Sequence, residues 1–135
     1  MLDSQDGKAA NGDLFDSLGG FAFDCIDANE LADFYVSMTG WKKVISSDEW
    51  AALRTPEGVL LVFQSVEEYV PPVWPWEKGR QQQMAHIDLI VENLQEAEER
   101  ALRFGAKKSE VQYYDTSTVM FDPAGHPFCL STVKQ

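Results

Sequence analysis

The chain has 135 residues, 22 acidic and 11 basic, for a formal net charge of −11. A chain of this length makes one domain that buries roughly two thirds of its unfolded surface, without help from disulfides or a structural metal. The negative charge excludes nucleic-acid partners and anionic membrane surfaces, because binding to either rests on clustered Lys and Arg.

The longest apolar run, Val59 to Phe63, is far short of the roughly 20 residues that cross a bilayer. Residues 1–18 are polar and follow no sustained period, so they read as an arm, flexible or docked. Within it Asp3, Asp6, Asp13 and Asp16 outnumber Lys8, the reverse of a signal peptide's basic start, and the expected compartment is cytoplasmic. Cys25 and Cys129 lie in apolar, strand-like runs and read as small buried hydrophobes rather than a disulfide.

From Gly19 the pattern becomes regular. Phe21 to Ile26 alternates like a strand, and Asp27 with Glu30 has the form of a capping box. Leu31, Phe34, Tyr35 and Met38 follow at helical spacing, and Gly40 stops the helix. Strands are predicted at Trp41 to Ile45, Glu49 to Thr55 and Val59 to Val66, the last two joined by Pro56-Glu57-Gly58. Residues 67–83 carry Val70-Pro71-Pro72-Val73-Trp74-Pro75-Trp76, where three prolines forbid regular structure. The first order then returns. Met84 to Val91 is a strand, and Asn93 with Glu96 caps a helix bearing Leu94, Ala97, Ala101 and Phe104. Strands follow near Lys107 to Val111, Tyr113 to Phe121 and Phe128 to Val133. Glu96 with Arg100 and Glu99 with Arg103 have the favourable order for helix ion pairs, while the Lys42-Lys43 and Lys107-Lys108 pairs read as solvated surface charge. Asp27 aligns with Asn93, and Pro56-Glu57-Gly58 with Pro123-Ala124-Gly125, at an offset of about 66 residues. The economical reading is a duplicated βαβββ unit of α+β class, with a first half at about 19–66, a crossover at 67–83 and a second half at 84–133.

Three stretches carry a family resemblance. Asp27-Ala28-Asn29-Glu30-Leu31-Ala32-Asp33-Phe34-Tyr35 followed by Thr39-Gly40-Trp41, the run Met84 to Leu89 after Trp74-Pro75, and Asp122 to Leu130 resemble the glyoxalase-like subgroup of the vicinal oxygen chelate superfamily. That superfamily includes glyoxalase I, bleomycin and fosfomycin resistance proteins and extradiol dioxygenases. The resemblance covers residues 19–133. It implies a curled mixed β-sheet cup with helices outside, a small-molecule ligand inside, and a homodimer.

The resemblance also implies four metal-ligand positions, on the first and last strands of each half. They fall here on Gly20, on Gln64 (or Val62 in an ungapped alignment), on His86 and on Cys129. Only His86 is a strong donor, Gly20 has none, and a neutral amide contributes little. Asp24 or Asp88 would rescue the set, although each stands further along its strand than the expected position. A metal-free cup is therefore the preferred reading, with Zn, Ni, Fe or Mn on His86, Gln64 and Cys129 as the alternative. His86 with Asp88 reads either as a general base with its orienting carboxylate or as a hydrogen-bonded pocket wall. His126 reads as part of its Gly-His-Pro turn, and Cys129 lacks a sequence-adjacent activator for nucleophilic work. Trp74, Trp76, Tyr113 and Tyr114 read either as an aromatic ligand wall or, for the tryptophans, as crossover or dimer packing, while Arg54, on one face of a first-half strand with Trp50, would pair with an anionic group. Two functions follow: a binding protein for a drug or metabolite, with ligand contacts from Gln64, His86, Asp88, Trp74, Trp76, Tyr114 and Arg54, or a metal-assisted lyase, isomerase or thiol transferase of glyoxalase I type.

Overall fold

The computed structural model describes residues 14–133. In chain order they form β1 (Gly20–Cys25), α1 (Ala28–Thr39), β2 (Lys42–Ser46), β3 (Trp50–Arg54), β4 (Leu60–Ser65), β5 (Ile87–Ile90), α2 (Leu94–Arg103), β6 (Lys107–Lys108), β7 (Ser117–Phe121) and β8 (Pro127–Ser131). The strands make two four-stranded sheets of matching order, β1-β4-β3-β2 and β5-β8-β7-β6. In each sheet the first and last strands of the half run parallel and the other neighbours antiparallel. This is the duplicated βαβββ arrangement of the vicinal oxygen chelate fold. Of the arm read over 1–18, residues 1–13 lie outside the described residues, and 14–18 are exposed without helix or strand.

Local chemistry sets the helix ends. The Asp27 carboxylate accepts the Glu30 amide and the Asn93 carbonyl accepts the Glu96 amide, so each satisfies an N–H that the first turn leaves open. Gly40 closes α1 with φ 79°, a left-handed turn that a Cβ would strain. The predicted Glu96–Arg100 and Glu99–Arg103 pairs do not form among the described residues. Arg100 instead reaches the Ser37 carbonyl of α1, and Glu98 takes Lys108 at 3.0 Å and the Thr118 hydroxyl at 2.6 Å. Lys43 likewise pairs with Asp33 at 2.7 Å, so neither lysine pair is purely solvated.

One core serves both halves. Tyr35 of α1 stacks on Phe63 of β4 with ring centroids 5.3 Å apart, and Phe34 presents its edge to Phe128 of β8 at 6.1 Å. Phe63 and Phe128 are fully buried, so the first helix packs against strands of both sheets. The Tyr35 hydroxyl donates to Asp122 Oδ2 at 2.7 Å, while Asp122 Oδ1 accepts the Ala124 and His126 amides. The turn that opens β8 is thus bonded to the first half's helix.

Three strands are clearly shorter than their alternation predicts, β5, β6 and β7. Met84 to His86 stay outside β5, with Met84 87% exposed. The strands predicted at Lys107 to Val111 and Tyr113 to Phe121 keep only Lys107–Lys108 and Ser117–Phe121, and between them the Gln112 amide takes a strand's place against β7. It accepts the Val119 amide and donates to the Val119 and Ser109 carbonyls, bonds that a strand backbone would otherwise make.

Candidate functional site

Alternation along β5 sends Ile87 and Leu89 into the core and leaves His86, Asp88 and Ile90 on the other face. Asp88 stands opposite Cys129 in the parallel β5–β8 register. His86 Nε2 lies 3.2 Å from Asp88 Oδ1, and the donor atoms of His86, Asp88 and Cys129 all lie within 4.8 Å of one another. The spacing of two residues separates backbones, but the side chains lean together across β8, so Asp88 joins the cluster that sequence spacing held it apart from. Burial, together with the charge and hydrogen bond of Asp88, pushes the Cys129 thiol up to about 11. At neutral pH it is a thiol and a donor, not a nucleophile.

The first half contributes differently. Gln64 donates to Asp24 at 2.9 Å and lines a depression with Trp50, while Asp24 lines the neighbouring cavity that His86 lines. A Cβ at Gly20 would stand 2.6 Å from the Leu60 carbonyl oxygen, so no side-chain donor fits there without displacing β4. Arg54 and Trp50 are exposed at the two ends of β3, and Arg54 forms no ion pair among the described residues.

The cavity that His86 lines, about 460 Å³, runs along the free edge of β1. Phe21, Val70, Pro72 and Met84 give it apolar walls, and Asp24, Tyr69, His86 and His126 give it polar ones. Such a volume suits a small organic ligand. The His126 ring bridges the halves, its Nε2 2.6 Å from the Asp24 carbonyl and 3.2 Å from the Tyr69 hydroxyl, which itself donates to the Ala124 carbonyl. Sequence reading gave His126 to its turn, which its amide bond to Asp122 bears out, but not to the seam. Tyr69 was missed because the irregular crossover has no period to flag it. Trp74 meets Tyr113 edge to face, whereas Tyr114 is 73% exposed and lines none of these depressions. No helix among the described residues is long and apolar enough to cross a membrane.

A profile of the glyoxalase-like domain matches residues 20–131. The chain belongs to this family. Among solved structures, the fosfomycin resistance protein FosX from Mesorhizobium loti superposes with a TM-score of 0.68 at 14% identity, covering 90% of this chain and 94% of that one. A glyoxalase/bleomycin resistance protein/dioxygenase family enzyme from Burkholderia phytofirmans PsJN gives 0.65 at 15% identity, covering 84% and 96%. At such identities the likeness concerns the fold. No curated protein sequence matches the chain.

Proposed function

We propose that this glyoxalase-like domain binds a small molecule at the outward face of β5 and β8, with His86, Asp88 and Cys129 as its polar anchors. The observation that carries this reading is the convergence of those three side chains, two of them solvent-accessible, beside a 460 Å³ concavity. The binding is metal-free. Gly20 offers no donor and no room for one, and Gln64 is engaged by Asp24. The ligand's polar end meets a neutral imidazole or imidazolium, a carboxylate and a thiol, and its apolar body lies along Phe21 and Met84.

A second reading rests on the same convergence. His86, Asp88 and Cys129 supply nitrogen, oxygen and sulfur donors of the kinds that hold zinc, and a bound divalent ion would supply Lewis-acid polarisation of a ligand's oxygens. On that reading the protein is a lyase, isomerase or thiol transferase of glyoxalase I type, and His86 and Asp88 hold and orient rather than bind substrate directly. Cytoplasmic location and pairing into homodimers accompany both readings as proposals.

Metal analysis after chelator-free purification separates the two. The expected content is below about a tenth of an equivalent. One equivalent of zinc, nickel, iron or manganese that disappears in His86→Ala would overturn the metal-free reading. In a screen of oxygen-bearing fragments by amide chemical shifts, hits should move the Asp88 and Cys129 resonances and lose about tenfold or more in affinity in His86→Ala. Hits that leave those resonances still would place the ligand elsewhere.

A further inference from the structure

The crossover and the loop before β7 build a second depression, of about 220 Å³, that contains none of His86, Asp88 and Cys129 and meets the His86 cavity at Gln82 and Gln83. Trp74, Trp76 and Tyr113 wall it together with Pro75, and the amides of Gln82 and Gln83 complete it. The Trp74 and Tyr113 rings lie 5.9 Å apart at 79°, so two aromatic walls meet in a corner. The third is held by the Trp76 indole N–H donating to the Arg80 carbonyl at 3.1 Å. Trp76 and Tyr113 remain 53% and 65% exposed, so packing within the described chain does not use up their surfaces. Among the described residues the buried Gln83 Oε1 atom has no hydrogen-bond partner.

These features select the charge of an occupant. Aromatic faces are the negative side of a quadrupole, and the unpartnered carbonyl oxygen of Gln83, a lining residue, adds a negative partial charge to the same neighbourhood. The chain's −11 net charge favours a cation and disfavours an anion. Yet none of the lining residues is charged, so no carboxylate is present to compensate the desolvation of a compact, strongly hydrated ammonium. A quaternary ammonium, weakly hydrated and with its charge spread over methyl groups, enters such a corner at lower cost. We infer that this aromatic corner binds the quaternary ammonium group of a small molecule.

Choline and its neutral isostere 3,3-dimethyl-1-butanol test the assignment in the full chain, with the tryptophan indole N–H resonances as the readout. Choline should shift the Trp74 and Trp76 resonances saturably and bind about tenfold more tightly than the alcohol. Tyr113→Ala should weaken choline about tenfold, and Tyr113→Phe, which keeps the ring face, should hold it within about threefold. Tyr113 is exposed enough that neither change threatens folding. Equal binding of choline and the alcohol, an absent or unsaturable shift, or an unaltered affinity in Tyr113→Ala would overturn the proposal. So would a Trp76→Ala variant whose sole change is dissociation of a dimer, since a second copy would then be the occupant. None of these outcomes bears on the His86 cluster, whose test uses different resonances and variants.

Discussion

Asp122→Ala is expected to lower the unfolding free energy by about 3–5 kcal/mol, the loss typical when one member of a buried polar network is removed. The truncation strands three donors at once: the buried Tyr35 hydroxyl and the Ala124 and His126 amides. Asp122→Asn keeps one carbonyl for the two amides and an NH₂ that the Tyr35 oxygen accepts, so its cost should be about 1 kcal/mol. Urea melts of the two variants check the ordering, and an alanine variant no less stable than the asparagine one would show that the network carries little. The pH dependence has a definite sign. Burial raises the Asp122 carboxyl above its ordinary 3.8, against the pull of the Tyr35 hydroxyl and of the His126 charge and amide. The folded state therefore holds that proton more tightly than the unfolded chain does. The group's contribution is fully present below the unfolded value and fades as pH rises from about 4 through the raised folded value. Asp122→Asn should flatten stability across that window, and a slope as steep as the parent's would assign the titration to another group.

That network also marks the limit of what the sequence revealed. Capping residues, helix-period apolar positions and alternation are local signals, so α1, α2, β1 and the repeat could be read directly from Asp27, Asn93, Gly40 and the Phe and Leu positions between them. Asp122 was legible as a turn residue and nothing more, because its partner Tyr35 lies 87 positions away. The same holds at the candidate site. His86 was legible from its motif, but the approach of Asp88 to Cys129 depends on the β5–β8 register, which no local pattern encodes. Gln112 shows the converse failure. Its neighbours alternate like a strand, yet its amide supplies the ladder bonds itself. Tyr113 and Tyr114 were indistinguishable by composition, and only the path of that loop turns Tyr113 rather than its neighbour onto Trp74.

Gly20→His, which writes an imidazole into the first-half ligand position that the resemblance implies, is expected to cost about 2–3 kcal/mol and to add no metal affinity. The obstacle is the backbone. A Cβ there meets the Leu60 carbonyl oxygen at 2.6 Å and the Leu60 Cβ at 3.1 Å. Leu60 cannot give way easily, because its amide donates to the Gly19 carbonyl at 2.9 Å and it pairs with Arg54 of β3 on its other side. Opening the β1–β4 pairing to admit the side chain would then disturb Asp24 and Gln64, four residues along the same two strands. Gly20→Ala isolates the steric part and should carry most of the loss. Gly19→Ala, where nothing lies within 4 Å of the added carbon, should cost less than about 0.5 kcal/mol. Thermal melts of the three variants with and without zinc read both effects together. If Gly20→His melts with the parent and takes up an equivalent of zinc that His86→Ala abolishes, that position lacks only a donor. If Ala and His both lose stability and zinc shifts neither, the packing of β1 on β4 is what bars a first-half donor at this position.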